Sequence, residues 1–248
     1  LISKHFMLNL SDRGFVVDRA VFIPSIAFLL STVGIVLLFP NASGSAFGTL
    51  QAAIVENASW FYGIVMAILL VASVVLAFSR VGNIRLGPDN SSPDYSLFSW
   101  LSMLFAAGVG IGLMFYGVAE PVVHYLRPPV GEGAPVGGEN QAVNLTMLHW
   151  GFNAWSVYAL MALVLAYFSF RRGLPLTLRS AFYPILGDRI YGPWGAAIDV
   201  FAIVCTTFGI STSLGLGVEQ LSTGLNYLFG VPESGGLKLA ITVAIMAM

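Results

Sequence analysis

Long hydrophobic runs with few charges alternate along this chain with short polar segments. Five of these runs approach or exceed the roughly 20 residues that a helix needs to cross a bilayer. They predict transmembrane helices at about residues 21–39, 58–79, 97–119, 145–170 and 196–221. A sixth run covers only residues 239–248, where the chain stops. The pattern therefore predicts an all-α polytopic membrane protein that resides in the lipid bilayer.

The composition agrees with that class. Hydrophobic residues make up 57% of the 248 residues and charged residues only 9%, whereas about a quarter of a soluble domain is charged. The mean hydropathy is +0.83. The net charge of −1 gives no reason to expect a nucleic-acid partner, and a single cysteine, Cys205, excludes a disulfide framework within the chain.

The two ends of the chain also carry an expectation. The chain begins with Leu1 rather than Met, and it stops inside the sixth hydrophobic run. We therefore expect a fragment of a longer protein that lacks the C-terminal half and part of an N-terminal tail.

Basic residues are distributed unequally between the two sides of the predicted membrane. Nine of the eleven fall in segments on one side, and only Arg127 and Lys238 fall on the other. Positive charge is enriched in cytoplasmic loops, so the N-terminus is predicted to be cytoplasmic, as in a multi-pass protein of the inner (plasma) membrane. On the same side, residues 171–192 mix apolar and basic positions, which predicts a short interfacial helix.

Glycines are concentrated in the third hydrophobic run, in the segment 104–121 (LFAAGVGIGLMFYGVAEP), which we call the glycine segment. Gly108, Gly110 and Gly112 each weaken a helix by about 1 kcal/mol relative to Ala. A backbone loosened at membrane depth is tolerated where it faces a ligand or a water-filled cavity. The glycines therefore predict an unwound, ligand-facing segment. The alternative is close helix packing through the GxxxG pair Gly108 and Gly112.

The fourth run carries three aromatic residues near its beginning, Trp150, Trp155 and Tyr158. At about 100° per residue, Tyr158 lies between the two tryptophans on a broad arc of the helix. Aromatic faces attract a quaternary ammonium ion with about 0.5–2 kcal/mol per ring. The arc is thus a candidate cation cage, although interfacial belts and helix-packing layers use the same residues.

Hydroxyl groups distinguish the fifth run, CTTFGISTSLGLGVEQ. Its Ser and Thr residues offer oxygen ligands to a sodium ion: Thr206, Thr207, Ser211, Thr212 and Ser213. The favoured alternative is that these hydroxyls bond to their own backbone at i−4 or to a neighbouring helix.

Four further polar residues lie in or beside the hydrophobic runs. Asp199 and Glu219 lie near the two ends of the fifth run, either as boundary residues or as functional carboxylates. His149 is interpreted as a packed, hydrogen-bonded histidine rather than a proton relay. Glu120, followed by Pro121, is interpreted as the outer end of its helix, with a role in cation access as the alternative.

Three sequence runs resemble the betaine/carnitine/choline transporter (BCCT) family: GVGIGLMFYGVAEPV, HWGFNAWSVYA and FGISTSLGLGVEQL. The resemblance extends from about Phe15 to the end of the chain. It implies a LeuT-type inverted-repeat transporter fold of twelve helices, truncated here after about five and a half. It also implies a homotrimer that moves trimethylammonium substrates such as glycine betaine, choline or carnitine.

The resemblance assigns roles to particular residues. It implies substrate contacts at five positions of the glycine segment and at the three aromatic positions: Gly108, Val109, Gly110, Ile111, Gly112, Trp150, Trp155 and Tyr158. It implies an ion site at Ala106, Val109 and Thr206. Val109 replaces the Met that is common in the family, which leaves a backbone contact intact. Ile210 stands where sodium-coupled relatives can carry a second Thr, so Na⁺, H⁺ and an exchanged substrate all remain candidates for coupling. No cofactor other than such an ion is expected.

The resemblance and the residues together predict a secondary active transporter that works by alternating access, with ion coupling, and not an enzyme. An antiporter of the same family without ion coupling is one alternative. A cation channel is another, because it would use the same glycines and hydroxyls. An intramembrane enzyme ranks lowest, because His149, Asp199, Cys205 and Glu219 are not spaced as a catalytic group.

Overall fold

The chain is described by a computed structural model that covers residues 7–10, 15–129 and 138–247. Within these ranges it is almost entirely helical, which confirms the all-α class. Its α-helices are α1 (Arg19–Leu38), α2 (Pro40–Phe78), α3 (Leu97–Leu126), α4 (Gly138–Trp150), α5 (Phe152–Ala166), α6 (Tyr183–Leu186), α7 (Pro193–Phe229) and α8 (Gly235–Ala247). Strands β1 (Met7–Leu10) and β2 (Phe15–Asp18) form an antiparallel pair with Met7 opposite Asp18, which the hydrophobic pattern does not predict.

Four helical stretches in the described part of the chain are long and apolar enough to cross a membrane: Arg19–Leu38, Pro40–Phe78, Gly138–Arg171 and Pro193–Phe229. Large apolar side chains cover their surfaces; Leu37 and Phe78, for example, are 76% and 90% exposed. Such surfaces are expected where lipid rather than water surrounds a helix. The third predicted span corresponds to α3, of which Leu97–Ala106 is a shorter apolar stretch.

The chain divides into two compact units. The first contains residues up to Ser91 and Phe152–Thr206, and the second contains Ser92–Gly151 and Thr207–Met248. In the first unit α2 packs against α1 and α5, and Ser73 of α2 donates a hydrogen bond to the Ser156 carbonyl at 3.5 Å. In the second unit α3 packs against α4.

Local sequence explains several helix boundaries. The Asp18 side chain caps α1 by accepting a hydrogen bond from the Ala20 amide at 3.0 Å. Pro40 separates α1 from α2, since it lacks an amide hydrogen and is favourable only in the first turn of a helix. Ser96 caps α3 by accepting from the Ser99 amide at 3.2 Å.

The structure corrects two predictions about the third run. The helix does not unwind at the glycines, because α3 is continuous from Leu97 to Leu126. Three glycines cost a helix about 3 kcal/mol in total, whereas each unpaired peptide group in an apolar environment costs several, so the intact hydrogen-bond ladder is the lower-energy arrangement. Nor does the helix end at Glu120 and Pro121, since α3 continues for more than a further turn.

The fourth run also differs from a single uninterrupted helix. It divides at Gly151 into α4 and α5, and α5 then widens into a π-helical turn at Tyr167–Arg171. The Gly151 amide donates a hydrogen bond to the Met147 carbonyl at 2.8 Å, and a Cβ at Gly151 would clash with that oxygen. The chain therefore requires glycine at this bend.

The interfacial segment is built from short turns rather than one helix. A 3₁₀ turn (Leu178–Phe182), α6 and a second 3₁₀ turn (Gly187–Tyr191) follow one another directly. Gly187 has φ +52°, a backbone conformation that other residues rarely adopt, and it separates the last two turns.

Candidate functional site

The second unit brings the glycine segment into contact with the first of the predicted cage residues. Trp150, the last residue of α4, lies directly against Gly112 of α3: a Cβ built on Gly112 would be 2.7 Å from Cζ3 and 2.9 Å from Cη2 of the indole. Real Cβ atoms essentially never approach carbon so closely. Gly112 is thus required for this packing, and the interpretation of the glycines as close-packing residues is correct at this position.

Two further α3 residues hold the Trp150 indole. The ring of Tyr116 stacks on it with centroids 5.5 Å apart and planes inclined by 29°. The indole N–H donates a hydrogen bond to Oε2 of Glu120. The stacking holds the plane of the indole, and the charge-assisted hydrogen bond sets the direction in which its N–H points.

The other oxygen of Glu120 faces two histidines. Its Oε1 lies 3.1 Å from Nε2 of His124 and is hydrogen-bonded to Nδ1 of His149. The Glu120 and His124 side chains are 12% and 15% exposed, while that of His149 is 52% exposed. We call Glu120, His124, His149 and Trp150 the Glu120 cluster. Its three ring N–H donors offset the cost of burying the carboxylate.

These α3 residues share one face of the helix. Gly112, Tyr116, Glu120 and His124 follow one another at intervals of four, which places successive side chains one above the other. Sequence reasoning did not select Tyr116 or His124, although this spacing was visible. It correctly identified His149 as hydrogen-bonded, but that side chain is half-exposed rather than packed. The α7 residue Gln220 approaches the same helix by donating to the Met114 carbonyl at 3.2 Å.

The other two predicted cage residues lie in the first unit, on α5. The ring centroids of Trp155 and Tyr158 are 5.7 Å apart, with planes inclined by 49°. Their exposed fractions are 38% and 66%. The i, i+3 spacing thus produces a pair of accessible adjacent rings, which is the arrangement that an aromatic cation site needs.

The residues predicted to hold an ion are less fully described. Ala106 on α3 and Thr206 on α7 are exposed, while the side chains of Gly108, Val109, Gly110 and Ile111 lie outside the described part of the chain. Ile210 is 63% exposed. Thr212 donates to the Phe208 carbonyl at 2.9 Å, which confirms backbone bonding at i−4 for this hydroxyl.

Both carboxylates of the fifth run have basic partners. Asp199, buried on α7, accepts hydrogen bonds from Arg179 through Nε at 2.5 Å and the backbone amide at 3.1 Å. A second carboxylate, that of Asp18, lies 3.4 Å from Nη2 of Arg179. Glu219 on α7 pairs with Nζ of Lys238 on α8 at 2.6 Å, in an exposed position.

The long apolar helices, together with a polar cluster held between α3 and α4, define a multi-pass membrane protein. Comparison with known proteins gives the family. The family described as "BCCT, betaine/carnitine/choline family transporter" matches residues 20–248. The chain belongs to this family, as the three sequence runs predict.

Curated relatives are similar across almost the whole chain. A glycine betaine transporter of Acinetobacter baylyi is 45% identical over 96% of this chain and 36% of its own length. A probable glycine betaine transporter of Desulfitobacterium hafniense is 42% identical, with coverages of 90% and 45%. The high-affinity choline transport protein of Escherichia coli K12 is 44% identical, with coverages of 91% and 33%. The chain thus spans less than half the length of these relatives, all of which are named as transporters.

Proposed function

We propose that this chain provides part of a secondary active transporter that imports quaternary ammonium compounds by alternating access. Its substrate is a trimethylammonium compound such as glycine betaine, choline or carnitine. The N-terminus is cytoplasmic, the membrane is the inner (plasma) membrane, and the assembly is a homotrimer. Family membership over residues 20–248 supports the class of substrate.

The observation that carries the proposal is the contact between Gly112 and Trp150. The glycine segment has a weakened helical backbone, and Trp150 has an aromatic face that suits a cation. Their contact in the second unit places a cation-binding ring directly against the part of α3 whose helical structure is weakest. Glu120 and Tyr116 fix that ring, so its position is set before the substrate arrives.

We expect the two ends of the substrate, the ammonium group and the carboxylate when there is one, to bind to different groups of the protein. The ammonium group binds aromatic rings, for which Trp150 in the second unit and the pair Trp155 and Tyr158 in the first unit are the candidates. Each ring would contribute about 0.5–2 kcal/mol. A substrate carboxylate is bound by backbone N–H groups around Gly108, Val109, Gly110, Ile111 and Gly112. These groups belong to the continuous helix α3, so the segment must open during the transport cycle, at a cost that the glycines lower by about 1 kcal/mol each.

Few residues of this chain are candidate ligands of a coupling ion. The candidate sodium ligands are the backbone carbonyls of Ala106 and Val109 in the second unit and the Thr206 hydroxyl in the first. Ile210 offers no side-chain oxygen, which reduces the number of oxygen ligands and favours one sodium ion, or a proton, over two sodium ions.

The test is substrate uptake into proteoliposomes containing the purified protein. Labelled glycine betaine, choline and carnitine are compared while the sodium gradient and the pH gradient are varied independently. We expect saturable uptake of at least one of them that responds to one gradient. Ohmic currents without saturable uptake would instead indicate a channel, and exchange without response to either gradient would indicate an antiporter.

The Trp155→Ala variant tests the aromatic cage. Loss of one ring should weaken apparent affinity by about 2- to 30-fold, which corresponds to the 0.5–2 kcal/mol of one cation–π contact. Trp60→Ala on α2 is the matched control, because Trp60 is 67% exposed and lies outside all three motifs. Equal uptake by the two variants would remove Trp155 from the cage.

A further inference from the structure

Three potential metal-ligand atoms converge in the Glu120 cluster. A carboxylate oxygen of Glu120 and one ring nitrogen from each of His124 and His149 all lie within 4.8 Å of one another. Two of them come from one face of α3 and the third from the end of α4. Nε2 of His124 and Nδ1 of His149 both lie within hydrogen-bonding distance of Oε1 of Glu120. The three potential ligands therefore already surround one point.

We propose that Glu120, His124 and His149 bind a Zn²⁺ ion. Imidazole nitrogen and carboxylate oxygen are ordinary zinc ligands, and two His with one Glu leave the fourth tetrahedral position to a water molecule or a substrate group. The ion takes the place of the hydrogen bonds between Oε1 and the imidazoles. Each histidine then presents an unprotonated ring nitrogen to the ion: a neutral imidazole carries its proton on the other ring nitrogen, and a protonated one releases a proton on binding. The carboxylate charge then neutralises part of the ion's charge.

The surroundings of the three ligands support this assignment. The Trp150 indole N–H is hydrogen-bonded to Oε2, which leaves Oε1 for the metal and holds the carboxylate plane. Such outer-shell hydrogen bonds to metal ligands are typical of built metal sites. His149, at 52% side-chain exposure, gives the ion and its water access to the cluster.

Zinc at this position would also act on the helices. It would connect α3 to α4 through three coordinate bonds and fix Trp150 against Gly112. If α3 opens during transport, as the proposed function requires, the bound ion should inhibit opening. This consequence rests on the proposed function, whereas zinc binding itself does not.

The binding experiment uses the purified protein in detergent. Zn²⁺ is titrated in competition with a chromogenic chelator, and Co²⁺ is used as a spectroscopic substitute. We expect one Zn²⁺ per chain with a micromolar or lower dissociation constant, and Co²⁺ absorption typical of nitrogen and oxygen ligands without a thiolate band. Absence of saturable binding in the wild-type protein would overturn the proposal.

Matched variants assign the ligands. His149→Ala and Glu120→Gln should each weaken binding by more than the roughly tenfold expected for loss of an outer-shell partner, and Trp150→Phe should weaken it by about that amount. His5→Ala, which removes the third histidine of the chain, and Cys205→Ser should bind as the wild type does. Binding that survives His149→Ala but disappears in either control would overturn the assignment. Because His149 is half-exposed, His149→Ala is expected to fold, and the Co²⁺ spectrum of the wild type decides the ligand class independently of any variant.

A second experiment separates the site from its consequence. Zn²⁺ should inhibit substrate uptake by the wild type and not by His149→Ala, each normalised to its own uptake without zinc. Zinc binding without inhibition would leave the site established and refute the effect on opening. Absence of any uptake would refute the proposed function and leave the binding result standing.

Discussion

Glu120 and Asp199 are two carboxylates on helices of the same membrane protein, and both are largely buried, with side-chain exposures of 12% and 5%. Asp199 accepts two N–H hydrogen bonds and Glu120 accepts three, so neither is left unpaired. The difference lies in the donors. Both donors to Asp199 belong to Arg179, whereas Glu120 is bonded to two imidazoles and an indole.

The chemistry of the donors decides what each carboxylate can do. Arginine keeps its charge under all ordinary conditions and accepts no hydrogen bond, so the Asp199 pair has one stable state. It fastens the 3₁₀ turn Leu178–Phe182 to α7 within the first unit. An imidazole nitrogen can also coordinate a metal, so the Glu120 cluster has side chains that could bind a ligand. Burial alone therefore does not distinguish a carboxylate with a structural role, such as Asp199, from one that belongs to a candidate binding site, such as Glu120.

The largest effect is expected from Asp199→Asn. This variant leaves the Arg179 guanidinium without its main partner, and breaking a buried ion pair from one side costs about 3–5 kcal/mol. The measurement is the free energy of unfolding in mixed detergent micelles. The double variant Arg179→Met/Asp199→Leu should recover most of the loss, because apolar packing can replace a buried pair. If Asp199→Asn lowered the free energy of unfolding by no more than Glu120→Gln does, the proposed difference between the two carboxylates would be wrong.

Gly112→Ala should give the next largest effect, on transport. The new methyl group would displace the Trp150 indole and so remove its cation–π contribution, which corresponds to a loss of uptake of about tenfold. Gly63→Ala on α2 is the control, since a Cβ there meets no other atom within 4 Å. Uptake by both variants at the wild-type rate would show that the indole position does not matter to transport.

Glu120→Gln should have a smaller effect on stability than Asp199→Asn. Glutamine keeps one carbonyl acceptor for the ring N–H groups, so we expect a loss of about 1 kcal/mol in the free energy of unfolding. Apparent substrate affinity should fall because Trp150 is less firmly held. A loss of stability with unchanged uptake would make Glu120 an anchor of the same kind as Asp199.

Glu219→Gln should have the smallest effect. Its ion pair with Lys238 is close, at 2.6 Å, but exposed, and exposed ion pairs contribute little to stability. The free energy of unfolding is expected to equal that of the wild type within error. A loss as large as that of Glu120→Gln would show that exposure does not weaken carboxylate pairs in this protein.

The positions of the apolar helices could be predicted from the sequence because each depends on a window of about 20 residues. α1 lies at Arg19–Leu38 where the pattern predicts 21–39, and α7 contains the predicted span 196–221. The glycine and tryptophan motifs were also visible, and they identified the family. These features are local, so no knowledge of neighbouring helices was needed.

How these parts meet depends on tertiary packing. Whether the glycines open α3 or pack against a ring depends on the hydrogen-bond energy of the helix and on the position of Trp150, which is 38 positions away from Gly112. The convergence of Glu120 with His149 depends on the same packing of α3 against α4. Local patterns in the sequence are therefore enough to identify a polytopic protein of the BCCT family. Tertiary packing, in contrast, determines that Glu120 meets histidine and tryptophan and that Asp199 meets arginine. The reason is that each of these partners lies on another segment of the chain, so the sequence around the carboxylate does not specify it.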